Sequence, residues 1–185
     1  MPKPTTTNRK QQFLGLCNYV RQWIFDYATL TSPLLTALKE SHPNANNINW
    51  TYERETAFLE LKRAITNAPV LRTSDYNKTF YLFCYCNGIT MTAVLTQKTS
   101  MGHKPIGYYS GLLDPVMKGN YPCEQALATA AFAVQKSTTI VMGSPLKLYV
   151  EHAVFAILQK SKSKLTTQRV SEYEVMLSMP SLKVV

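Results

Sequence analysis

Phe13, Leu16, Cys17, Val20, Trp23, Ile24 and Tyr27 recur at steps of three and four residues. That spacing gathers them on one face of a helix and leaves Asn18, Arg21 and Gln22 opposite. A second set, Tyr27, Leu30, Leu34 and Leu38, keeps helical spacing past Pro33. Proline is tolerated only near a helix start, so the pattern predicts a short second helix from about Ser32. The polar stretch Ser41 to Asn47 reads as a loop. Thr51 can cap a third helix, in which Glu53 and Glu55 suit the positive N-terminal dipole and Phe58, Leu61 and Ile65 form the buried stripe. A small three-helix bundle is expected.

After Asn67-Ala68-Pro69 the period changes. Thr79 to Cys86 is dense in aromatics and runs into Asn87-Gly88, and Thr90 to Lys98 is rich in Thr and Val, which predicts a hairpin. Lys104 to Ser110 supplies a third strand, on which alternation buries one of Tyr108 and Tyr109 and exposes the other. Pro122 opens an Ala-rich helix to about Lys136, and Leu146 to Glu151 forms a strand. Further helices are expected near Ala153 to Gln159 and Thr167 to Leu177. A basic linker, 160–164, separates them, and a final short strand starts at Leu182. The expected fold class is α+β, with helices packed on a mixed sheet.

The 185 residues are 45% apolar and 17% charged, which excludes disordered and collagen-like chains. No apolar run reaches the roughly 18 residues a membrane span requires. The N-terminal residues lack the apolar core of a secretory signal, so an intracellular setting, cytoplasmic or nuclear, and four reduced cysteines are expected. The balance of 20 Lys and Arg against 11 Asp and Glu leaves a net charge of +9. Such an excess draws polyanions, nucleic acid first among them, although solubility alone also accounts for it.

The segment Phe13 to Ile24, with Pro33-Leu34-Leu35, Trp50-Thr51 and Ala57 to Lys62, resembles the thumb of retroviral and retrotransposon reverse transcriptases. Ala68-Pro69-Val70-Leu71, Ala93 to Lys98, Lys104 to Ser110, Leu112 to Pro115, Met142 to Leu146 and Glu151 to Val154 resemble the RNase H-like connection domain that follows, in a gammaretrovirus-type pattern. The resemblance implies a thumb-like segment over residues 1–66 and an RNase H-like connection domain over 67–185, its last strand cut short, as in a fragment of an endogenous retroviral Pol. It also implies no polymerase activity, because the Tyr-x-Asp-Asp motif of the palm has no counterpart. In agreement, the first 74 residues contain one Asp, whereas two-metal phosphoryl transfer needs clustered carboxylates.

Active RNase H domains of this family place acids at the end of the first strand, early in the next helix and at the end of the fourth strand. The matching positions here are Tyr85, Glu124 and Glu151. A phenol is a poor ligand for Mg²⁺, which demands an octahedral oxygen shell. A non-catalytic domain without cofactor is therefore expected.

Cys84 and Cys86, with Cys123 and His152, have the wrong spacing for a zinc site and read better as small buried hydrophobes. Two basic groups are candidate nucleic-acid contacts: Arg9, Lys10, Arg21 and Gln22 on or beside the first helix, and Lys160, Lys162, Lys164 and Arg169 late in the chain. The expected partner is an RNA·DNA hybrid or another duplex bound without sequence preference. Solvated faces and flexible spacers have the same composition. The alternative is a protein-interaction module or inert relic, docking through surfaces that ancestrally packed on palm and RNase H domains.

Overall fold

The computed structural model describes residues 2–40, 49–151 and 165–185. The chain divides into two compact units, Met1–Val70 and Leu71–Val185.

The first unit contains α1 (Thr7–Tyr19), a single 3-10 turn (Arg21–Trp23), α2 (Tyr27–Lys39) and α3 (Tyr52–Thr66). Thr6 Oγ1 accepts the Arg9 amide at 3.3 Å and Thr51 Oγ1 accepts the Arg54 amide at 3.4 Å, so each hydroxyl satisfies a donor that the first turn leaves open. Phe13, Leu14, Cys17, Ile24, Leu34, Phe58 and Leu61 form the core, with the Phe13 and Phe58 rings 4.9 Å apart. The segment before α1 is tied to α3: Trp50 Nε1 donates to the Pro4 carbonyl at 3.2 Å, and Lys3 pairs with Glu55 at 2.8 Å.

Two sequence expectations fail in this unit. The first helix stops at Tyr19 although the apolar period runs on to Tyr27. Asp26 turns the chain in the left-handed region at φ 51° and its carboxylate accepts the Thr29 hydroxyl at 2.8 Å. Asp tolerates that conformation because its short side chain bonds locally. In consequence α2 starts at Tyr27, and Pro33 lies inside it instead of near its start.

The second unit is built on a five-stranded sheet of order β3-β2-β1-β4-β5, comprising β1 (Phe80–Cys86), β2 (Thr90–Thr99), β3 (Gly102–Leu112), β4 (Leu146–Tyr149) and β5 (Leu182–Val184). The first three strands form an antiparallel meander. Then β4 runs parallel to β1 and β5 parallel to β4, giving the mixed sheet the sequence predicts. At the hairpin, Asn87 Oδ1 accepts the amides of Ile89 and Thr90, while Gly88 takes φ 84°, where a side chain would be strained. The β2–β3 register shifts at Leu95/Thr96. Beyond the shift, the Pro105 carbonyl accepts the Arg72 amide at 2.9 Å.

Three helices complete the unit: α4 (Pro115–Lys118), α5 (Pro122–Val141) and α6 (Thr167–Leu177). The short α4, capped by Asp114, has no counterpart in the sequence expectations. Helix α5 runs five residues past Lys136, because Ser137 and Thr138 return their hydroxyls to the Val134 carbonyl at 3.0 and 2.9 Å and so keep polar groups satisfied within the helix. Phe80, Leu82, Leu95 and Leu148 meet Leu127, Ala130 and Val134 of α5 and Leu177 of α6, so both long helices cover one face of the sheet. The expected helix near Ala153 to Gln159 lies outside the described residues. No helix among the described residues is long and apolar enough to cross a membrane.

Candidate functional site

Because β1 and β4 are parallel neighbours, their C-terminal ends meet at the same end of the sheet. Tyr85 stands at the end of β1, and Glu151 follows β4 by two residues. Both line a narrow cleft with Cys84, Cys86, Ala126, Thr129 and Val150, holding about 10 Å³ of open space, room for one water. Tyr85 is 52% exposed and Glu151 is exposed. Glu124 is not in the lining: it lies in the first turn of α5, with 2% exposure. Of the three acid positions, the structure thus brings Tyr85 and Glu151 together and buries Glu124. Among the described residues no three His, Cys, Asp or Glu side chains gather closely enough to share a metal ion.

The basic candidates separate. Arg9, Arg21 and Gln22 are exposed, the last two in the turn after α1, where Arg21 Nη1 donates to Asn18 Oδ1 at 3.2 Å. Lys10 is a correction. It points into the first unit with 1% exposure, and among the described residues its ammonium has no hydrogen-bond partner. Burial, followed by the nearby Arg54 guanidinium, lowers its pKa to about 8. A buried ammonium cannot meet a phosphate at the surface. Arg169, in the first turn of α6, is held by Asp114 at 3.1 Å. The Asp114 carboxyl lies below its ordinary range, chiefly because it accepts the Met117 amide, and Arg169 adds to the effect. Lys160, Lys162 and Lys164 lie outside the described residues.

Cys84 is buried and its thiol is pushed up to about 12 by desolvation, as Cys17 is to about 11. His152 lies outside the described residues. Tyr108 and Tyr109 are both half-buried, contrary to the expectation of one in and one out. Tyr109 packs toward α5, and burial raises its pKa to about 12.

One arrangement escapes sequence reasoning altogether. Tyr81, Phe83 and Tyr85 point away from α5, and the strand register sets Lys147 and Lys183 beside Tyr81 and sets Tyr149 beside Phe83. Tyr149 stacks on Phe83 at 4.8 Å and on Tyr81 at 6.4 Å, while His103 meets Tyr81 and Phe83 edge-on at 4.7 and 5.4 Å. Alternation in residues 81 to 85 signals the outward row. Its partners on β3 and β4 become visible only with the register.

Residues 50–148 match the family described as the RNase H-like domain found in reverse transcriptase. The chain is 34% identical over 178 residues to the Pol polyprotein of feline endogenous virus ECE1, covering 96% of this chain and 17% of that protein. It is equally identical over 178 residues to the Gag-Pol polyprotein of baboon endogenous virus (strain M7), covering 96% of this chain and 10% of that one. It therefore spans a minor part of the relatives it matches. Among solved structures, the foamy viral protease-reverse transcriptase dRH in complex with double-stranded DNA superposes with a TM-score of 0.89 at 24% identity, over 100% of this chain and 32% of that chain. The same viral protein with an RNA/DNA hybrid gives 0.85 at 22% identity, over 99% of this chain and 25% of that one. At such identities these structures establish the fold alone.

Proposed function

Because the chain belongs to the family of RNase H-like domains found in reverse transcriptase, we propose that it is a non-catalytic thumb-and-connection segment that grips duplex nucleic acid without reading sequence. In this reading residues 1–66 are the thumb-like part and 67–185 the connection. The observation that carries it is Tyr85: at the end of β1, where the resemblance implies a carboxylate in an active relative, this chain has a phenol whose ring points away from α5, so β1 supplies no acid to the cleft at its end. Glu151 alone faces that cleft as an acid, and Glu124 is buried away from its lining. This donor set does not suit Mg²⁺, which takes carboxylate and water oxygens in octahedral geometry.

Duplex binding is supported by the +9 charge, by exposed Arg9, Arg21 and Gln22 at α1 and the turn after it, and by solved relatives bound to double-stranded DNA and an RNA/DNA hybrid. Arg169 is a weaker contributor, since Asp114 already partners it. Gel shifts with hybrid and duplex probes test the reading. Affinity is expected to fall steeply with salt, and Arg21→Ala is expected to lower the salt slope by roughly 1. Digestion of the RNA strand that stops with chelator and with Glu151→Gln would overturn the non-catalytic part, and absence of any duplex complex at low salt would overturn the binding part.

A second reading, a protein-docking module, is favoured by exposed apolar residues at the end of α1, Leu16 at 64% and Tyr19 at 83%, and by Phe25 after the following turn at 61%. A partner whose capture is lost on changing Leu16 and Tyr19 to Ser, with duplex affinity unchanged, would select it.

A further inference from the structure

The sheet of the second unit is covered on one face by α5 and α6, and among the described residues of that unit no helix covers the other. This open face holds Tyr81, Phe83 and Tyr85 of β1 and Tyr149 of β4 as a row of rings, with His103 against it. Cations surround the row. Lys147 lies 5.7 Å from the Tyr81 ring, exposed Lys183 shares its register level, and exposed Lys98 pairs with His103 one level down. None of the five strands contains an Asp or a Glu.

Rings bordered by cations, with no carboxylate among the strands, favour one ligand chemistry over others. An aromatic ring stacks on any flat base, and an ammonium holds any phosphate, so together they form a sequence-tolerant platform for an unpaired strand. Tyr149 already stacks on Phe83 and Tyr81, so an incoming base extends this row at its Tyr85 end, where the ring is 52% exposed. A duplex suits the face poorly, because its bases are stacked on one another and present edges only. A protein partner suits it less well, because lysine is depleted from the buried centres of protein interfaces.

We propose that the open face of the sheet binds a short run of single-stranded nucleic acid, with bases on Tyr81, Phe83, Tyr85 and Tyr149 and phosphates on Lys98, Lys147 and Lys183. This is a different surface from the Arg9 and Arg21 region and does not depend on duplex binding there.

The test uses the full chain and three labelled probes: oligothymidylate, an abasic strand of equal length, and a blunt duplex. Oligothymidylate is expected to bind roughly 10-fold or more tighter than the abasic strand. Tyr85→Ser, at a position 52% exposed, is expected to weaken it roughly 5- to 100-fold. Lys147→Gln with Lys183→Gln is expected to lower the salt slope for the single strand by roughly 1.4. Circular dichroism and thermal melts confirm that each variant is folded, and Arg21→Ala serves as a control that changes the duplex complex alone. Equal affinity for the abasic strand overturns the proposal, as does indifference to both the Tyr85 and the lysine variants. Self-association that these variants abolish, without oligothymidylate binding, overturns it in favour of a second copy on the same face.

Discussion

Lys10 shows how far a single side chain can depart from its type. A four-carbon stem normally carries the ammonium back to water, yet here the whole residue is 1% exposed among the helices of the first unit. The folded state therefore binds this proton less tightly than the unfolded chain, at about 8 against 10.5. For a group lowered on folding, stability is lost as pH falls through the folded value, so the charge destabilises the neutral-pH protein by roughly 3 kcal/mol. Lys10→Met, which keeps the stem and removes the charge, is expected to raise stability at pH 7 by about 2 kcal/mol. Between pH 7 and 9 the stability advantage of the variant over the wild type should shrink by roughly 1 kcal/mol, a difference in which the buried thiols common to both cancel, and denaturant unfolding of the two proteins at both pH values would reveal it. Above pH 9 both proteins lose stability, because Cys17 and Tyr27, pushed up to about 11 and about 12 by burial, resist the ionisation that the unfolded chain permits. A fall in stability for Lys10→Met at pH 7 would show that the ammonium is needed where it lies.

At the scale of the element, α2 carries its own weakness. Pro33 offers no amide to the carbonyl four residues back and its ring crowds that carbonyl. Pro33→Ala is expected to stabilise the first unit by about 1–2 kcal/mol, the restored helix bond outweighing the larger entropy of the unfolded chain. A thermal melt that moves down instead would mean the ring's packing beside Leu30 and Ala57 matters more. This helix also marks the boundary of what the chain's pattern discloses. Helix α3, the meander and α6 are legible because caps, turn residues and period agree over each of them. The break after Tyr19 is not, because apolar spacing continues through it and the deciding event is the backbone angle of one Asp. In the candidate site, Tyr85 and Glu151 could be located from the family resemblance together with the expected strand ends. The burial of Glu124 could not, since it depends on how α5 settles on the sheet, nor could the pairing of Phe83 with Tyr149, which requires a parallel register between strands more than sixty residues apart.

At the scale of the whole molecule, each unit has its own core, and basic and aromatic surfaces lie in different parts of the chain. The Arg9 and Arg21 region belongs to the first unit and the ring row to the second. Changes to one are therefore expected to leave the other's ligand affinity intact, as changes at sites with no shared residue do. Duplex and single-strand titrations on Arg21→Ala and Tyr85→Ser form the cycle that measures this. Coupling well above about 0.5 kcal/mol would reveal communication between them.

The outermost ribbon, β3, is eleven residues long, and nothing in the order of strands shields its far side. An unpaired border of that length invites a neighbouring molecule to continue the ladder. Pro105 interrupts the invitation: its carbonyl is already claimed by Arg72, and its ring leaves no amide to offer beside it. Restoring a donor there with Pro105→Val should let chains zip border to border, seen as concentration-dependent growth in light scattering and thioflavin fluorescence. Should the variant stay as dispersed as its parent, the register shift at Leu95/Thr96 rather than the proline would be what blocks pairing along this border.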